Sequence, residues 1–204
     1  IEAANQTMND EGLGAGGSRL VTGSRPIHKE LEEALGEWLN RERVLLFPSG
    51  FQANLAAILA LANRHTTIIA DRLIHHSLLL GIKASGAKLH RYSHNNLDEL
   101  EKHLKNFRQK HTHPSPLVIT ESLFSMEGTS PDLTKLSRLC ENYSANLLVD
   151  EAHALGVLGT QGRGLCYGIS SSITMISGTF GKSFGSGGAF LACDNKLGEH
   201  LIQT

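Results

Sequence analysis

The feature that most constrains this chain is an alternation of short β-branched or Leu-rich runs with longer stretches whose apolar residues recur three and four apart. Strands are predicted over residues 44–47, 67–70, 88–92, 117–120, 146–149, 173–177 and 188–193, with helices over 52–62, 75–85, 97–106 and 133–143 between them. That rhythm of strand and crossover helix predicts an α/β fold with a mostly parallel sheet flanked by helices. Pro26, at a first-turn position, starts another helix that runs to Leu39. It carries Leu31, Leu35, Trp38 and Leu39 on one packing face and Glu30, Glu32, Glu33 and Glu37 largely away from it. A last helix, 196–203, reaches the chain end, and the chain opens on Ile1 rather than Met, so a piece of a longer protein is expected.

At 204 residues, 40% hydrophobic and 19% charged, the chain suits one α/β domain with a substantial core. A formal net charge of -1 with dispersed Lys and Arg gives no electrostatic footprint for nucleic acid or an anionic membrane, and small molecules are the expected ligands. Cys140, Cys166 and Cys193 are odd in number, widely spaced and without a CxxC pair. They indicate neither a disulfide framework nor a metal site, and a reducing cytoplasm suits them. The most apolar run, 55–62, falls far short of the roughly 20 residues a membrane-spanning helix needs. Residues 111–116 read as a polar loop, with His111 and His113 solvated rather than bound to metal.

Ligands of open α/β sheets bind past the carboxyl ends of strands. The residues there are 48–51, 71–75, 121–128, Asp150-Glu151-Ala152-His153 and Gly178-Thr179-Phe180-Gly181-Lys182. Two familiar patterns among the letters fail. Asp150 to His153 spells a helicase box and Gly181-Lys182-Ser183 ends like a phosphate loop, but that loop needs glycine where Ile176 stands, and the order of the two motifs is reversed. Gly12-x-Gly14-x-x-Gly17 matches a dinucleotide fingerprint, yet polar Met8 to Glu11 precedes it in place of a strand.

What remains is a set of groups that each have a plain reading alone. Lys182 sits in a glycine-rich turn, where Gly178, Gly181 and Gly185 let a flat group approach, or it is an ordinary loop lysine. Asp150 ends an apolar strand, a costly place for a carboxylate without a cationic partner, or it caps the next segment or binds a metal. The Gly50 and Phe51 amides open a helix and form an anion site, or Ser49 caps them. Thr179 adds a hydroxyl, and His75 either lies flat on a ring or caps its helix. Taken together they supply the imine lysine, ring-nitrogen acid, phosphate site and ring-face group that pyridoxal 5'-phosphate requires.

The order of the motifs is more specific than any one of them. Val149-Asp150-Glu151-Ala152-His153, then Gly156-Val157-Leu158-Gly159-x-x-Gly162-Arg163-Gly164, then Gly178-Thr179-Phe180-Gly181-Lys182-x-Phe184-Gly185 resembles the α-oxoamine synthases, fold-type I pyridoxal-phosphate enzymes. Ser49-Gly50-Phe51-x-Ala53-Asn54, Asp71-Arg72-Leu73-x-His75-x-Ser77-Leu78, His94-Asn95 and Phe124-Ser125-Met126-x-Gly128 extend the resemblance from about Gly12 to Cys193. It implies Lys182 as the Schiff-base lysine, Asp150 at the pyridine nitrogen and His75 on the ring. It further implies Ser125 and His153 near the ring oxygen, Gly50, Phe51 and Thr179 at the phosphate, and no metal. The implied reaction is decarboxylative condensation of an L-amino acid with an acyl thioester, the motifs being most similar to the branch that joins alanine to a pimeloyl group in biotin biosynthesis. Sister enzymes that use glycine (2-amino-3-ketobutyrate ligase or 5-aminolevulinate synthase type) and a non-catalytic subunit that keeps the fold are the alternatives. By the same resemblance, residues 1–25 are a glycine-rich entry segment near a homodimer interface and 26–204 the large cofactor-binding domain. The family's N-terminal segment and C-terminal small domain, which brings the arginine for the substrate carboxylate, lie outside this chain, and Arg19, Arg25, Arg72 and Arg163 do not align with that arginine.

Overall fold

The computed structural model describes residues 1–110, 114–169 and 173–203, so His111 and His113 lie outside the described residues. In chain order the elements are α1 (Glu2–Glu11), α2 (Pro26–Leu39), β1 (Arg43–Phe47), α3 (Gly50–Leu61), β2 (Thr67–Asp71), α4 (His76–Ser85) and β3 (Lys88–Tyr92). They continue with α5 (Leu97–Lys110), β4 (Leu117–Glu121), α6 (Leu133–Asn142), β5 (Asn146–Asp150), β6 (Met175–Thr179), β7 (Ala189–Cys193) and α7 (Asn195–Gln203). The strands form one sheet in the order β1-β7-β6-β5-β4-β2-β3.

The pairs β2·β3, β2·β4, β4·β5 and β5·β6 are parallel, as the alternation predicts. Strand β7 is the exception and runs antiparallel to both β6 and β1. The physical reason is the short link from Phe180 to Gly188, because a parallel return needs a crossover of a dozen or more residues. A tight loop replaces it, closed by Phe180 N–H donating to the Gly188 carbonyl at 3.0 Å and Ser186 N–H to the Phe180 carbonyl at 2.9 Å. Lys182 therefore rides on a hairpin loop.

Strand parity divides the core between two faces. Leu147 and Val149 of β5, with Ile176, Phe190 and Ala192, pack beneath α2, α5 and α6. Leu148, Met175, Ile119 and Leu191 face the other way, beneath α3 and α4. Continuing the alternation puts Glu121, Asp150 and Ser177, two residues on, and Thr179, four residues on, on the α3 and α4 face. The polar ends of the central strands thus converge under two helix N-termini.

Several local expectations shift. Strand β6 runs from Met175 to Thr179 rather than over 173–177, because its ladder with β7 continues through Gly178↔Phe190 and Thr179↔Ala189. Within residues 1–25, α1 forms, with none of its residues buried. On α2, Leu35 and Leu39 are buried while Leu31 is 40% exposed. Glu32 does not point into solvent, since it pairs with Arg19 at 2.8 Å and accepts a hydrogen bond from Leu46 N–H at 3.1 Å. The three cysteines are free and buried. Among the described residues, no helix is long and apolar enough to cross a membrane.

Candidate active site

Helix α3 begins at Gly50 because Ser49 caps it, its hydroxyl accepting from Gln52 N–H at 3.3 Å. The cap takes the third amide and leaves those of Gly50 and Phe51, which have no intrahelical acceptor, facing a cavity of about 140 Å³. A side chain on Gly50 would touch only Thr179, at 3.8 Å, so the backbone there stays open to a ligand. Thr179 Oγ1 donates to the Gly188 carbonyl at 3.2 Å and accepts from Gly181 N–H at 3.2 Å, which closes the Lys182 loop at the end of β6.

Asp150, 6% exposed, lines the same cavity. Its Oδ1 accepts from Ala152 N–H at 2.9 Å and its Oδ2 from Asn54 Nδ2 at 2.9 Å. Both donors are neutral, and each oxygen keeps a lone pair for a cationic N–H. Asn54 lies one turn into α3 and is 3% exposed. Its Oδ1 accepts from Ser177 Oγ at 2.6 Å, and its Nδ2 also donates to Ser77 Oγ at 2.9 Å. Ser77 Oγ in turn sits 2.7 Å from His75 Nδ1, the nitrogen that accepts Ser77 N–H at 3.2 Å and so caps α4. His75 is thus a helix cap and a cavity wall at once.

Two acidic side chains, Glu121 and Asp150, and the Lys182 amine line the cavity. Burial, and then the neighbouring Asp150, raise the Glu121 carboxyl to about 8, partly offset by the His75 backbone N–H and Lys182. Lys182 is exposed at the mouth, and its Nζ is in hydrogen-bond contact with His153 Nε2. Burial of the amine holds Lys182 below the usual lysine range, against the pull of Asp150 and Glu121. His153 is held down by burial and by Lys182.

Lys182, Asp150, His75, His153, Gly50, Phe51 and Thr179 all line this one cavity. Ser125 does not; it sits exposed in the loop after β4. Asn54, Ser77, Ser177 and Glu121 line it as well, without having been assigned a role from sequence. Parity was the available signal for Glu121 and Ser177, since a polar residue two past a core-facing one on β4 or β6 must face the same side. For Asn54 it was the four-residue step from Gly50 along one helix face. Glu151, next to Asp150, is structural: its Oε1 accepts from Leu165 N–H at 2.7 Å and Cys166 N–H at 3.1 Å. Among the described residues, no group of His, Cys, Asp and Glu could hold a metal ion.

The family model for aminotransferase class I and II matches residues 1–204. An 8-amino-7-oxononanoate synthase of Photobacterium profundum is 43% identical over 94% of this chain and 49% of its own length. Among solved structures, a serine palmitoyltransferase of S. paucimobilis with a bound PLP–myriocin aldimine superposes with a TM-score of 0.92 at 30% identity, over 100% of this chain and 51% of that one. An 8-amino-7-oxononanoate synthase of Francisella tularensis superposes with a TM-score of 0.81 at 32% identity, over 99% of this chain and 56% of that one. The chain spans about half the length of the relatives it matches.

Proposed function

The chain belongs to the aminotransferase class I and II family, in its α-oxoamine synthase branch, and from that premise we propose that the whole protein is a pyridoxal-phosphate-dependent acyltransferase. Its reaction is the condensation of L-alanine with a pimeloyl thioester, with loss of carbon dioxide, to give 8-amino-7-oxononanoate for biotin synthesis. The observation that carries the reading is the single cavity shared by Lys182, Asp150, His75 and the free amides of α3. These residues fit the cofactor: an amine for its aldehyde, a carboxylate with spare lone pairs for its ring nitrogen, an imidazole for its ring face and an anion site for its phosphate.

When bound, pyridoxal phosphate supplies an electron sink for charge that develops at the amino acid's Cα. The protein's part is binding and proton handling. Gly50 and Phe51 amides, with Thr179, hold the phosphate, and Asp150 keeps a proton on the ring nitrogen. Glu121, raised to about 8 by burial and then by Asp150, stands beside it as a neutral group below that pH. The lowered pKa of Lys182 brings its amine nearer to the neutral form in which it takes a proton from Cα, with His153 in contact to share it. Leu13, Leu20 and Val21, 87%, 73% and 79% exposed beside the glycine-rich segment, form the surface that a second copy covers in a homodimer.

Full-length protein should absorb in the visible, and that band should vanish in Lys182→Ala or on borohydride treatment; a band that survives the substitution ends the reading. The choice of substrate is decided by product formation from alanine, glycine or serine with several acyl thioesters. Serine is included because the higher TM-score belongs to a serine palmitoyltransferase, 0.92 against 0.81, although the 43% identity of the Photobacterium relative favours alanine.

A further inference from the structure

Asn54 is a neutral, buried side chain that meets three elements at once. It spans Ser177 on β6, Asp150 at the end of β5 and Ser77 at the start of α4. The hydrogens of this network have one consistent arrangement. Asn54 Oδ1 is occupied as acceptor by Ser177 Oγ–H, which fixes the amide's orientation and directs both Nδ2 hydrogens outward, one to Asp150 Oδ2 and one to Ser77 Oγ. Ser77 Oγ, which accepts from Asn54, keeps its own hydrogen for His75 Nδ1 at 2.7 Å. That hydroxyl bond is the shorter of the two Nδ1 accepts, the backbone Ser77 N–H lying at 3.2 Å, so the hydroxyl delivered by the Asn54 chain is the stronger hold on a neutral ring with its proton on Nε2.

We propose that Asn54 is a positioning residue that sets Asp150 and His75 together, fixing the carboxylate's orientation directly and the imidazole's tautomer through Ser77. One amide thereby aligns the group assigned to the ring nitrogen with the group assigned to the ring face. The inference rests on the pyridoxal-phosphate reading for what the two residues act upon, while the hydrogen-bond chain itself does not depend on it. Buried polar networks of this kind specify one geometry only while every member is satisfied.

The test uses full-length protein with ¹⁵N-labelled histidine, carrying Asn54→Leu, which keeps the approximate shape, or Ser77→Ala, which cuts only the branch to His75. In cofactor-free protein, the wild-type His75 nitrogen shifts should report the Nε2–H form, and both variants should move them toward a mixture of tautomers. In protein titrated with pyridoxal phosphate, Asn54→Leu should weaken binding about tenfold, as expected for a lost hydrogen bond to a charged group, and Ser77→Ala by less. A role in packing alone would lower the melting temperature of Asn54→Leu while leaving its His75 shifts and cofactor affinity at wild-type values, and that result overturns the proposal. Should Asn54→Leu fail to fold, unchanged His75 shifts in Ser77→Ala overturn it on their own. Failure of the cofactor reading shows separately, as no visible band in wild-type protein, and leaves the nitrogen shifts to decide the Asn54 chain.

Discussion

Glu121 and Asp150 are register partners at the carboxyl ends of β4 and β5, so two carboxylates stand side by side on one face of the sheet. Burial and that proximity raise the Glu121 carboxyl from an ordinary 4.5 to about 8. Between those values the native protein holds a proton that the unfolded chain lacks. The contribution is therefore fully present below pH 4.5 and lost as the pH rises through 8, by about 1.4 kcal/mol per pH unit across the window. Glu121→Gln stays neutral and escapes that loss. Its stability relative to the parent protein should climb between about pH 5 and 8 and then level off; denaturant melts of cofactor-free protein at several pH values check this, and a pH-independent difference refutes it.

Gly178 is demanded by its neighbours rather than by its backbone angles. A Cβ there would lie 2.3 Å from Phe190 Cζ and 2.7 Å from Leu155 Cδ1, both in the core. Phe190 is itself held against Phe180, ring centroids 5.4 Å apart, so it has little room to yield. Gly178→Ala should cost about 1–3 kcal/mol and, by displacing Thr179 and the Lys182 loop, reduce cofactor affinity. Gly187→Ala is the comparison, because a Cβ there meets nothing within 4 Å, and its stability should stay within about 0.5 kcal/mol of the parent. Equal melting temperatures for the two variants would show that the contact at Gly178 is easily relieved.

How much of this was legible in the sequence depends on the range of the forces involved. The strands at the sheet centre were readable because burial on both faces makes them short continuous apolar runs, and the helices α5 and α6 because burial of one face imposes a period of about 3.6. The β6 boundary was not, since Gly178 looks like a turn residue until Phe190, a partner across the ladder, is seen to fill its missing side chain. The reversal of β7 follows from a link too short for a crossover, which the spacing contained. The residues that gather in the cavity were named because each sits just past a strand or at a helix start. Their connection through Asn54 was hidden, because it joins positions 23, 96 and 123 residues apart by side-chain hydrogen bonds that leave no periodic trace. Ser125 follows its strand in the same way, yet its loop carries it out to solvent, a matter of loop conformation that strand position does not determine.

His75 performs two tasks that substitution can separate. As N-cap of α4 it accepts Ser77 N–H through Nδ1 at 3.2 Å, and as a cavity wall it presents a flat ring. Asparagine can accept the same amide but offers no aromatic face; phenylalanine offers the face but no acceptor; alanine offers neither. His75→Phe and His75→Ala should therefore both lose about 0.5–2 kcal/mol of stability, while His75→Asn stays close to the parent. Cofactor affinity should sort the variants differently, with His75→Phe within a few-fold of the parent and the Asn and Ala variants weaker by about three- to tenfold, the worth of an aromatic stacking contact. Melting temperature and cofactor titration on the same three proteins give the two orderings. If affinity follows stability, with His75→Asn equal to the parent in both, the ring has no part in the site and His75 is a helix cap alone.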